Sequence, residues 1–527
     1  DRLPREVQED ILAKKLRFFA IDAYALAREA GLGPRINTIM QVCFFKITRL
    51  VPDYLESVKA GIRKAYGAKD PSAVEKNLKA ADGAAARLVE VKVPSQATAE
   101  RRRLPPVPAR APAFVCDLLG PIIAGRGDEL PVSAMPADGT FPTSTSQWEK
   151  RATSREVPQW EPGLCIQCNK CALVCPHAAI RVKAFPPEAG EDLPAGFKWD
   201  KWKGREFPEG TRYTIQVSPQ DCTGCDLCVA VCPAKSKDGP PRKALAMAER
   251  TPESTAEGSG HFKRFLAIPE AERSAVNAGT VKGSQLLQPL FEFSGACAGC
   301  GETPYLKLLT QLFGDRLLVA NATGCSSIFG GNLPTTPWTC NEAGRGPAWS
   351  NSLFEDNAEF GLGFRAALDH QGDYARSLLS ALSDKIGAEL VQALLSTDQA
   401  TEAGIEIQRA LVAELQQRLG GLQESRARDL NAVAGALTRK SVWIVGGDGW
   451  AYDIGYAGLD HVLASGENVN IMIMDTEVYS NTGGQASKAT PFGAAAKFAA
   501  GGKGKPKKDL ALIAMTYKNI YVAQVCM

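Results

Sequence analysis

The sequence predicts a multidomain α/β protein that carries an inserted α+β module. Its 527 residues suffice for about three or four domains of ordinary size. Eight cysteines fall in two short runs between positions 163 and 250, which sets that region apart. Residues 441–445 and 469–474 are apolar runs of strand length, and each precedes a polar loop that contains glycine. Apolar strands of this kind are typical of a buried parallel sheet.

The first region, residues 1–110, is predicted to be the C-terminal part of an α/β domain. Apolar residues recur at helical spacing over 16–30, 54–66 and 73–89, and each segment therefore predicts a helix. No residue of this region forms a pattern typical of catalysis.

Three further regions follow. Residues 111–160 are rich in Pro, Arg, Ser and Thr, which predicts an extended linker. Residues 161–250 hold the two cysteine runs, and residues 251–527 predict a second α/β domain. Within that domain a strongly helical insertion is predicted at about 374–438, interrupted by the glycine pair at 420–421.

Composition and charge exclude several classes of partner. The formal net charge of +3 is too small to indicate nucleic-acid binding, and no apolar run approaches the roughly 18 residues of a membrane span. Tightly clustered cysteines in a long chain indicate metal ligands in a reducing compartment. The predicted location is therefore the cytoplasm, with a mitochondrion or another anaerobic organelle as the alternative in a eukaryote. The chain begins at Asp1 without an initiator Met, which predicts a processed N terminus or a piece of a longer polypeptide.

The two cysteine runs share one spacing, C-x₂-C-x₂-C-x₃-C-P, which is typical of ferredoxins with two [4Fe–4S] clusters. In that pattern the fourth cysteine of each run binds the other cluster. One cluster is therefore predicted to use Cys165, Cys168, Cys171 and Cys232, and the other to use Cys222, Cys225, Cys228 and Cys175. The alternative is a pair of structural zinc sites, but zinc motifs usually pair two C-x₂-C units.

A third set of cysteines lies in two glycine-rich loops. Cys297 and Cys300 form a C-x₂-C unit, and Cys325 follows in the sequence TGCSS. The spacing alone leaves three interpretations open, namely a third cluster, a zinc site or a redox dithiol. Cys340 and Cys526 are candidates for a fourth ligand by count only.

The loops after the two predicted strands form a candidate diphosphate site. Gly447, Asp448 and Gly449 follow the first strand, and Thr476 and Asn481 follow the second. In parallel sheets, ligands bind beyond the carboxyl ends of the strands. Mg²⁺ prefers oxygen ligands such as a carboxylate, a hydroxyl and a carbonyl, and glycines allow close approach of a phosphate. The alternative is that Gly-Asp-Gly is an ordinary turn without a ligand. The presence of a second polar loop after a neighbouring predicted strand favours the diphosphate site over that alternative.

These residues resemble those of the pyruvate:ferredoxin (or flavodoxin) oxidoreductases, within the 2-oxoacid:ferredoxin oxidoreductases, over nearly the whole chain. The segments GDGWAYDIGYAGLDHV and DTEVYSNTGGQASKATPFGA resemble the thiamine-diphosphate domain of that family. GACAGCGETPY and NATGCSSIFGG resemble the loops around its proximal cluster, and DGTFPTSTSQWEKR resembles its connecting segment. RINTIMQVCFFKI is similar to the end of its preceding domain.

The resemblance implies a role for each site residue. Asp448, Thr476 and the Val478 carbonyl would hold Mg²⁺, and Asn481 would be catalytic, facing the substrate and the thiazolium ring. Gly447, Gly449 and Cys325 would border the cofactor. Cys297, Cys300 and Cys325 would bind a third [4Fe–4S] cluster.

The resemblance also implies the architecture and partners. A thiamine-diphosphate-binding α/β domain would carry an inserted two-[4Fe–4S] ferredoxin domain and follow the end of another α/β domain. The fourth ligand of the third cluster and the Glu that activates thiamine would lie outside this chain, in N-terminal and C-terminal parts of the same enzyme. Ferredoxin or flavodoxin would accept the electrons, coenzyme A would be the co-substrate, and the enzyme would be a homodimer.

The implied function is oxidative decarboxylation of pyruvate to acetyl-CoA and CO₂. The sequence leaves three alternatives open: another 2-oxoacid as substrate, a fused pyruvate:NADP oxidoreductase, and a non-catalytic iron–sulfur electron carrier. No G-x-G-x-x-G follows a predicted strand, so no nicotinamide site is predicted in this chain.

Overall fold

The computed structural model describes most of the chain as two compact units, Asp1–Pro105 and Pro106–Met527. The described residues are 3–33, 35–67, 70–236, 239–331, 334–353 and 355–526. None of the described helices is both long and apolar enough to cross a membrane.

The first unit is mainly helical. Its helices are Arg5–Ala13, Ala23–Glu29, Asn37–Thr48, Tyr54–Tyr66 and Pro71–Arg87, and its strands Phe18–Ala20 and Val89–Val91 pair antiparallel. The helix predicted at 54–66 is confirmed, and the one predicted at 73–89 is present as Pro71–Arg87, since Val89 begins the second strand. The continuous helix predicted over 16–30 is wrong, because the Asp22 side chain accepts a hydrogen bond from the Ala25 N–H and so starts a new helix after the strand.

The cysteine runs lie in a small α+β module at the start of the second unit. Its strands are Glu156–Trp160, Ile180–Phe185, Asp200–Lys201, Arg212–Val217 and Leu245–Glu249, and its helices include Lys170–Leu173 and Leu227–Ala230. The two halves repeat one local conformation, since Asn169 and Asp226 each adopt a left-handed backbone directly before a short helix that contains the third cysteine of its run. Both residue types tolerate that conformation.

The module extends beyond the cysteine runs on both sides. Glu156–Trp160 falls inside the predicted linker, yet it pairs antiparallel with Leu245–Glu249. The helix Pro252–Leu266 begins after residue 250 and packs Phe262 and Phe265 against Phe185 of the module. Burial of aromatic rings therefore joins these flanking segments to the cysteine-bearing core.

The rest of the second unit is built on a four-stranded parallel sheet. The strand order is Asn470–Met474, Ser441–Gly447, Leu317–Ala322 and Ala348–Ser352. The two strands predicted around 441–445 and 469–474 are confirmed as parallel neighbours. The flanking helices are Thr303–Phe313, Cys325–Gly331, Asn357–Ala381, Tyr456–Ser465 and Leu510–Met515, with a π-helix at Gly449–Ile454.

The predicted helical insertion is present, but its first helix begins earlier than residue 374. Asn357–Ala381 is one helix, whose first half lies close against the sheet at Gly361, where a Cβ would be 2.3 Å from Ile444. Its second half packs with the other helices of the insertion around a separate apolar core. Those helices are Ser383–Ile386, Ala388–Ser396, Glu402–Leu419 and Ser425–Val433.

Candidate active site and cluster ligands

Three loops leave the same edge of the parallel sheet. Cys325 begins a helix just after Leu317–Ala322, Asp448 directly follows Ser441–Gly447, and Thr476 lies just beyond Asn470–Met474. Because all three strands are parallel, their carboxyl ends meet at one edge, which is where such sheets bind ligands.

Asp448 is the centre of a cluster of oxygen atoms. Its side chain is buried, and its Oδ1 accepts a hydrogen bond of 3.0 Å from the Thr476 hydroxyl. The Ser487 hydroxyl donates to Oδ2 at 2.6 Å, and the Val478 carbonyl oxygen lies 3.1 Å from Thr476 Oγ1. Carboxylate, hydroxyl and carbonyl oxygens form the hard donor set that Mg²⁺ prefers. Burial raises the pKa of the Asp448 carboxyl because it disfavours the charged form, and a neighbouring cation would stabilise the carboxylate.

The glycines around Asp448 have different roles. A Cβ at Gly449 would lie 2.3 Å from the Tyr479 ring, so only glycine allows that loop to pack against the second one. At Gly447 the atom nearest to an added Cβ would be the Met474 carbonyl oxygen at 3.9 Å, which leaves the space beside Gly447 open. Gly449 therefore allows the two loops to pack tightly, and Gly447 leaves space through which a ligand could approach.

Asn481 lies at the tip of a short hairpin. Val478–Tyr479 and Gln485–Ala486 pair antiparallel, and the turn between them leaves the Asn481 side chain exposed. The hairpin therefore carries Asn481 and the Val478 carbonyl on one structural element.

Cys325 of the third cysteine set lies at the same edge. Cys325 Sγ lies 3.2 Å from the hydroxyl of Ser480, one residue before Asn481. The thiols of Cys300 and Cys297 are close enough to influence the Cys325 thiol, whose pKa is raised by burial first and by these neighbours in addition. Cys340 Sγ instead lies 3.6 Å from the Thr143 hydroxyl, and Cys526 is exposed.

Glu302 is a buried carboxyl between the cysteine loop and Asp448. Its backbone N–H donates to Cys300 Sγ at 3.4 Å, and its Oε2 has no hydrogen-bond partner among the described residues. Burial, with the charge of Asp448 second, raises the pKa of Glu302 to about 7.

The cysteines of the α+β module influence one another across the two runs. The Cys228 thiol is influenced by those of Cys175, Cys222 and Cys225, which agrees with the predicted crossed ligand set. Cys171 is influenced first by Cys165, then by Cys228 and Cys168. Cys175 and Cys232 both pack at the border of one apolar core that contains Cys165, Cys171 and Cys228.

Burial favours the protonated form of several of these thiols. It raises the pKa of Cys222 to about 12 and raises that of Cys171 well above its ordinary value. Thiolates bind iron, and a bound metal deprotonates its thiol ligands. Among the residues with described positions, no group of three or more His, Cys, Asp or Glu side chains is arranged so that it could hold a metal ion.

The cysteine loop beside the sheet also contacts the α+β module. A Cβ at Gly299, between Cys297 and Cys300, would lie 3.7 Å from the Cβ of Cys225. The Cys222, Cys225, Cys228 neighbourhood is therefore the one next to the third cysteine set.

Comparison with known families matches four regions of the chain. Residues 1–87 match the family described as pyruvate ferredoxin/flavodoxin oxidoreductase, and residues 164–236 match the 4Fe-4S dicluster domain. Residues 426–526 match the C-terminal TPP-binding domain of thiamine pyrophosphate enzymes. Residues 100–154 match the EKR family, described as a domain of unknown function.

Several curated relatives match over the whole chain. The chain is 55% identical to a putative pyruvate-flavodoxin oxidoreductase of Synechocystis, with 99% of this chain and 44% of the relative covered. It is 54% identical to the pyruvate-flavodoxin oxidoreductase of Trichormus variabilis and 48% identical to the pyruvate:ferredoxin oxidoreductase of Moorella thermoacetica, with all of this chain and 45% of each relative covered.

The chain is similar along its whole length to proteins named pyruvate-flavodoxin and pyruvate:ferredoxin oxidoreductase. It spans less than half the length of the relatives it matches. The dicluster match contains the eight cysteines of the two runs, and the thiamine pyrophosphate match contains the Asp448 loop, whereas Cys297, Cys300 and Cys325 lie outside both matches.

Two residues of the site were not predicted from the sequence. Ser487 lies within the segment DTEVYSNTGGQASKATPFGA and Glu302 within GACAGCGETPY, but neither segment indicates that these two side chains are buried near Asp448. The hydrogen bond of Ser487 to Asp448 and the electrostatic influence of Asp448 on Glu302 arise only when the sheet-edge loops meet.

Proposed function

We propose that this chain supplies the thiamine-diphosphate site and the electron-transfer clusters of an enzyme that decarboxylates pyruvate oxidatively to acetyl-CoA and CO₂. The observation that carries the proposal is the 3.2 Å contact between Cys325 Sγ and the Ser480 hydroxyl, because it joins a cluster loop to a cofactor loop. The names of the relatives, which specify pyruvate and flavodoxin or ferredoxin, support the substrate and the acceptor.

The Asp448 cluster of oxygens would hold the cofactor through Mg²⁺. Asp448, the Thr476 hydroxyl and the Val478 carbonyl would be the protein ligands, and Ser487 would orient the Asp448 carboxylate through its hydrogen bond. Gly447 and Gly449 would let the backbone approach the diphosphate. Bound thiamine diphosphate supplies the electron sink for decarboxylation.

Asn481 and Glu302 would act around the reacting groups. Asn481, exposed at the hairpin tip, would orient the substrate by hydrogen bonding. The loops of Cys325 and Asp448, together with the buried Glu302, would exclude water from one side of the site.

Three [4Fe–4S] clusters would carry the electrons away. The first would use Cys297, Cys300 and Cys325 together with a ligand outside this set, the second Cys222, Cys225, Cys228 and Cys175, and the third Cys165, Cys168, Cys171 and Cys232. The contact of Gly299 with Cys225 supports that order. Ile166, which is 57% exposed beside Cys165, supports an outer position for the third cluster, from which ferredoxin or flavodoxin would take electrons.

The remaining predictions concern the whole enzyme. Coenzyme A as co-substrate, a homodimer, a cytoplasmic location, the activating Glu and the fourth proximal ligand outside this chain all stay predictions. The non-catalytic electron carrier is disfavoured by the intact set of oxygens around Asp448.

The test uses the full enzyme, purified without oxygen and supplied with thiamine diphosphate, Mg²⁺ and coenzyme A. Pyruvate, 2-oxoglutarate and other 2-oxoacids are added one at a time, and bleaching of the visible iron–sulfur absorption is recorded. Rapid bleaching by pyruvate alone supports the proposal. Bleaching by another 2-oxoacid would correct the substrate, and no bleaching in a protein shown to hold iron and sulfide would favour the electron carrier.

A further inference from the structure

Residues 144–154, which include the triplet Glu149, Lys150 and Arg151, lie between the two cofactor-bearing parts of the second unit. They fall within the region that matches a family described as a domain of unknown function. The contacts of this segment indicate what it does.

The first half of the segment is bound to the part of the chain that carries the parallel sheet. The Ser144 N–H donates to the Trp338 carbonyl at 2.6 Å, and the Ser146 N–H donates to the Thr336 carbonyl at 3.2 Å. The Thr145 side chain is buried, and its hydroxyl oxygen accepts a hydrogen bond of 2.6 Å from the Thr336 N–H. Backbone pairing therefore fixes this half along several residues.

The second half is bound to the α+β module. The Ala152 N–H donates to the Gln220 carbonyl at 2.9 Å, two residues before Cys222. The Arg250 guanidinium donates to the carbonyls of Ala152 and Ser154, each at 2.7 Å. The segment thus crosses from one cofactor-bearing part to the other.

Lys150 contacts both parts with a single side chain. Its Nζ lies 2.5 Å from Asp221 Oδ2 in the module and 4.4 Å from the centroid of the Phe293 ring, in the stretch leading to Cys297. The Lys150 side chain is 32% exposed, whereas that of Asp221 is only 3% exposed. Ser218 also donates to Asp221, at 2.5 Å. A buried carboxylate with these partners holds the ammonium group at a defined position.

Glu149 and Arg151 secure the same segment on the sheet side. Arg151 donates to both carboxylate oxygens of Glu149, at 2.9 and 3.1 Å. The Thr335 hydroxyl, on a buried residue, donates to Glu149 Oε2 at 2.8 Å. The triplet therefore binds the sheet-bearing part through Glu149 and the α+β module through Lys150.

These anchors lie next to cluster ligands on both sides. Asp221 directly precedes Cys222, and Phe293 lies four positions before Cys297. The loop that follows Phe293 includes Gly299, where a Cβ would be 3.7 Å from that of Cys225. Any shift of the module relative to the sheet would therefore change the separation of these two cysteine loops.

We propose that residues 144–154 form a docking strap that holds the Cys222–Cys225–Cys228 loop against the Cys297–Cys300 loop, with Lys150 as its positioning residue. The strap sets the distance that electrons cross between the first and second clusters. This inference rests on the proposed function for the clusters, and it assigns the strap no ligand and no chemical step.

The test compares Lys150→Met with Lys150→Arg in the full, cluster-loaded enzyme, and Lys263→Met at an exposed site serves as the matched control. Met keeps the length of the side chain but loses both the ion pair and the contact of the cation with the Phe293 ring, whereas Arg can keep both. Reduction of the second and third clusters by pyruvate is followed by stopped flow. Magnetic coupling between the first two clusters is measured by EPR after reduction with dithionite.

In Lys150→Met we expect the rate of cluster reduction to fall at least about tenfold and the EPR coupling to weaken, since small displacements of reacting groups have large kinetic effects. Iron content, thiamine-diphosphate affinity and the KM for pyruvate stay unchanged. Lys150→Arg restores the rate and the coupling, and Lys263→Met leaves both at wild-type values. A Lys150→Met enzyme with wild-type rate and coupling overturns the proposal.

A second variant tests the same ion pair in case the Lys150→Met enzyme loses its clusters. Asp221→Asn removes the ion pair but keeps an oxygen for the Ser218 hydrogen bond, and we expect it to slow cluster reduction in the same way. If Lys150 and Asp221 act as one pair, the double variant is no slower than the slower single variant, whereas independent, additive losses overturn the proposal. A wild-type enzyme without clusters would instead contradict the proposed function.

Discussion

The Cys325 thiol lies 3.2 Å from the Ser480 hydroxyl, although the two residues are 155 positions apart in the chain. Cys325 belongs to the third cysteine set, and Ser480 belongs to the hairpin that also carries the Val478 carbonyl. The parallel sheet produces this contact, because it delivers both loops to one edge. A cluster on Cys325 would thus border the cofactor loop directly.

Replacing Cys325 with Ser should remove the first cluster alone. A hydroxyl is a poor ligand for iron compared with a thiolate, so we expect roughly one third of the iron to be lost. Binding of thiamine diphosphate and Mg²⁺ should persist, since Asp448 and Thr476 are unchanged. Iron analysis and calorimetric titration measure the two effects.

Cys43→Ser is the control for that experiment, because Cys43 is a buried thiol in the first unit. It should leave the iron content at the wild-type value. Full retention of iron in Cys325→Ser would show that Cys325 is not a ligand.

Replacing Cys175 with Ser should affect the cluster of the second cysteine run rather than that of its own run. The ferredoxin spacing predicts that Cys175 binds the same cluster as Cys222, Cys225 and Cys228, and the Cys175 thiol is close enough to influence that of Cys228. We expect the EPR signal of the second cluster to be lost or altered while that of the third cluster persists. The opposite pattern would contradict the crossed assignment. Cys116→Ser, at a thiol that contacts only backbone carbonyls among its described hydrogen bonds, is the matched control.

Gly449 and Gly447 should respond differently to alanine. At Gly449 the new Cβ would lie 2.3 Å from the Tyr479 ring, so Gly449→Ala must displace one of the two loops. We expect it to lower the midpoint of thermal unfolding and to abolish cofactor binding. Overpacking of this kind typically costs about 1–3 kcal/mol.

Gly447→Ala has no such clash, since its nearest neighbour would be 3.9 Å away. It should leave the unfolding midpoint close to that of the wild type and weaken only the binding of thiamine diphosphate, as measured by calorimetry. Equal effects of the two substitutions on thermal unfolding would contradict this division of roles.

Lys307 should raise the reduction potential of the cluster bound by Cys175. This lysine is fully buried, and its ammonium group donates to the carbonyls of Ala172, Leu173 and Cys175, the last two at 2.8 and 3.3 Å. A buried cation favours the reduced, more negative state of a nearby cluster. For Lys307→Met we therefore expect the midpoint potential to fall by roughly 60 mV, which corresponds to about tenfold in the equilibrium constant.

An EPR-monitored redox titration measures that shift, with Lys263→Met as the exposed control for the same change of side chain. An unchanged potential in a Lys307→Met enzyme that retains its clusters would contradict the electrostatic role.

The sequence was informative where the determinants are local. Spacing within each cysteine run predicts the ligand pattern, and the apolar runs before Asp448 and Thr476 predict two strands that the structure confirms as parallel neighbours. The prediction of one helix over 16–30 was wrong because apolar spacing does not indicate that Asp22 caps a separate helix beginning at Ala23. Helical spacing cannot reveal where a side-chain hydrogen bond interrupts a segment.

Other features depend on contacts between distant segments. Lys307 reaches the Cys171–Cys175 region across more than 130 positions, as its hydrogen bonds show. Ser487 and Glu302 acquire their relation to Asp448 only when separate loops meet at the sheet edge. No local pattern of residue types encodes such relations, so only the folded structure could identify these three residues.

The most direct test of the account is whether Asp448 couples pyruvate to the clusters. Wild-type, Asp448→Asn and, as a surface control, Asp369→Asn forms of the full enzyme are loaded with clusters and supplied with thiamine diphosphate, Mg²⁺ and coenzyme A without oxygen. Each receives pyruvate and then dithionite while the visible absorption is recorded. We expect pyruvate to bleach the wild type and Asp369→Asn, and only dithionite to bleach Asp448→Asn. Bleaching of Asp448→Asn by pyruvate at the wild-type rate would contradict the account.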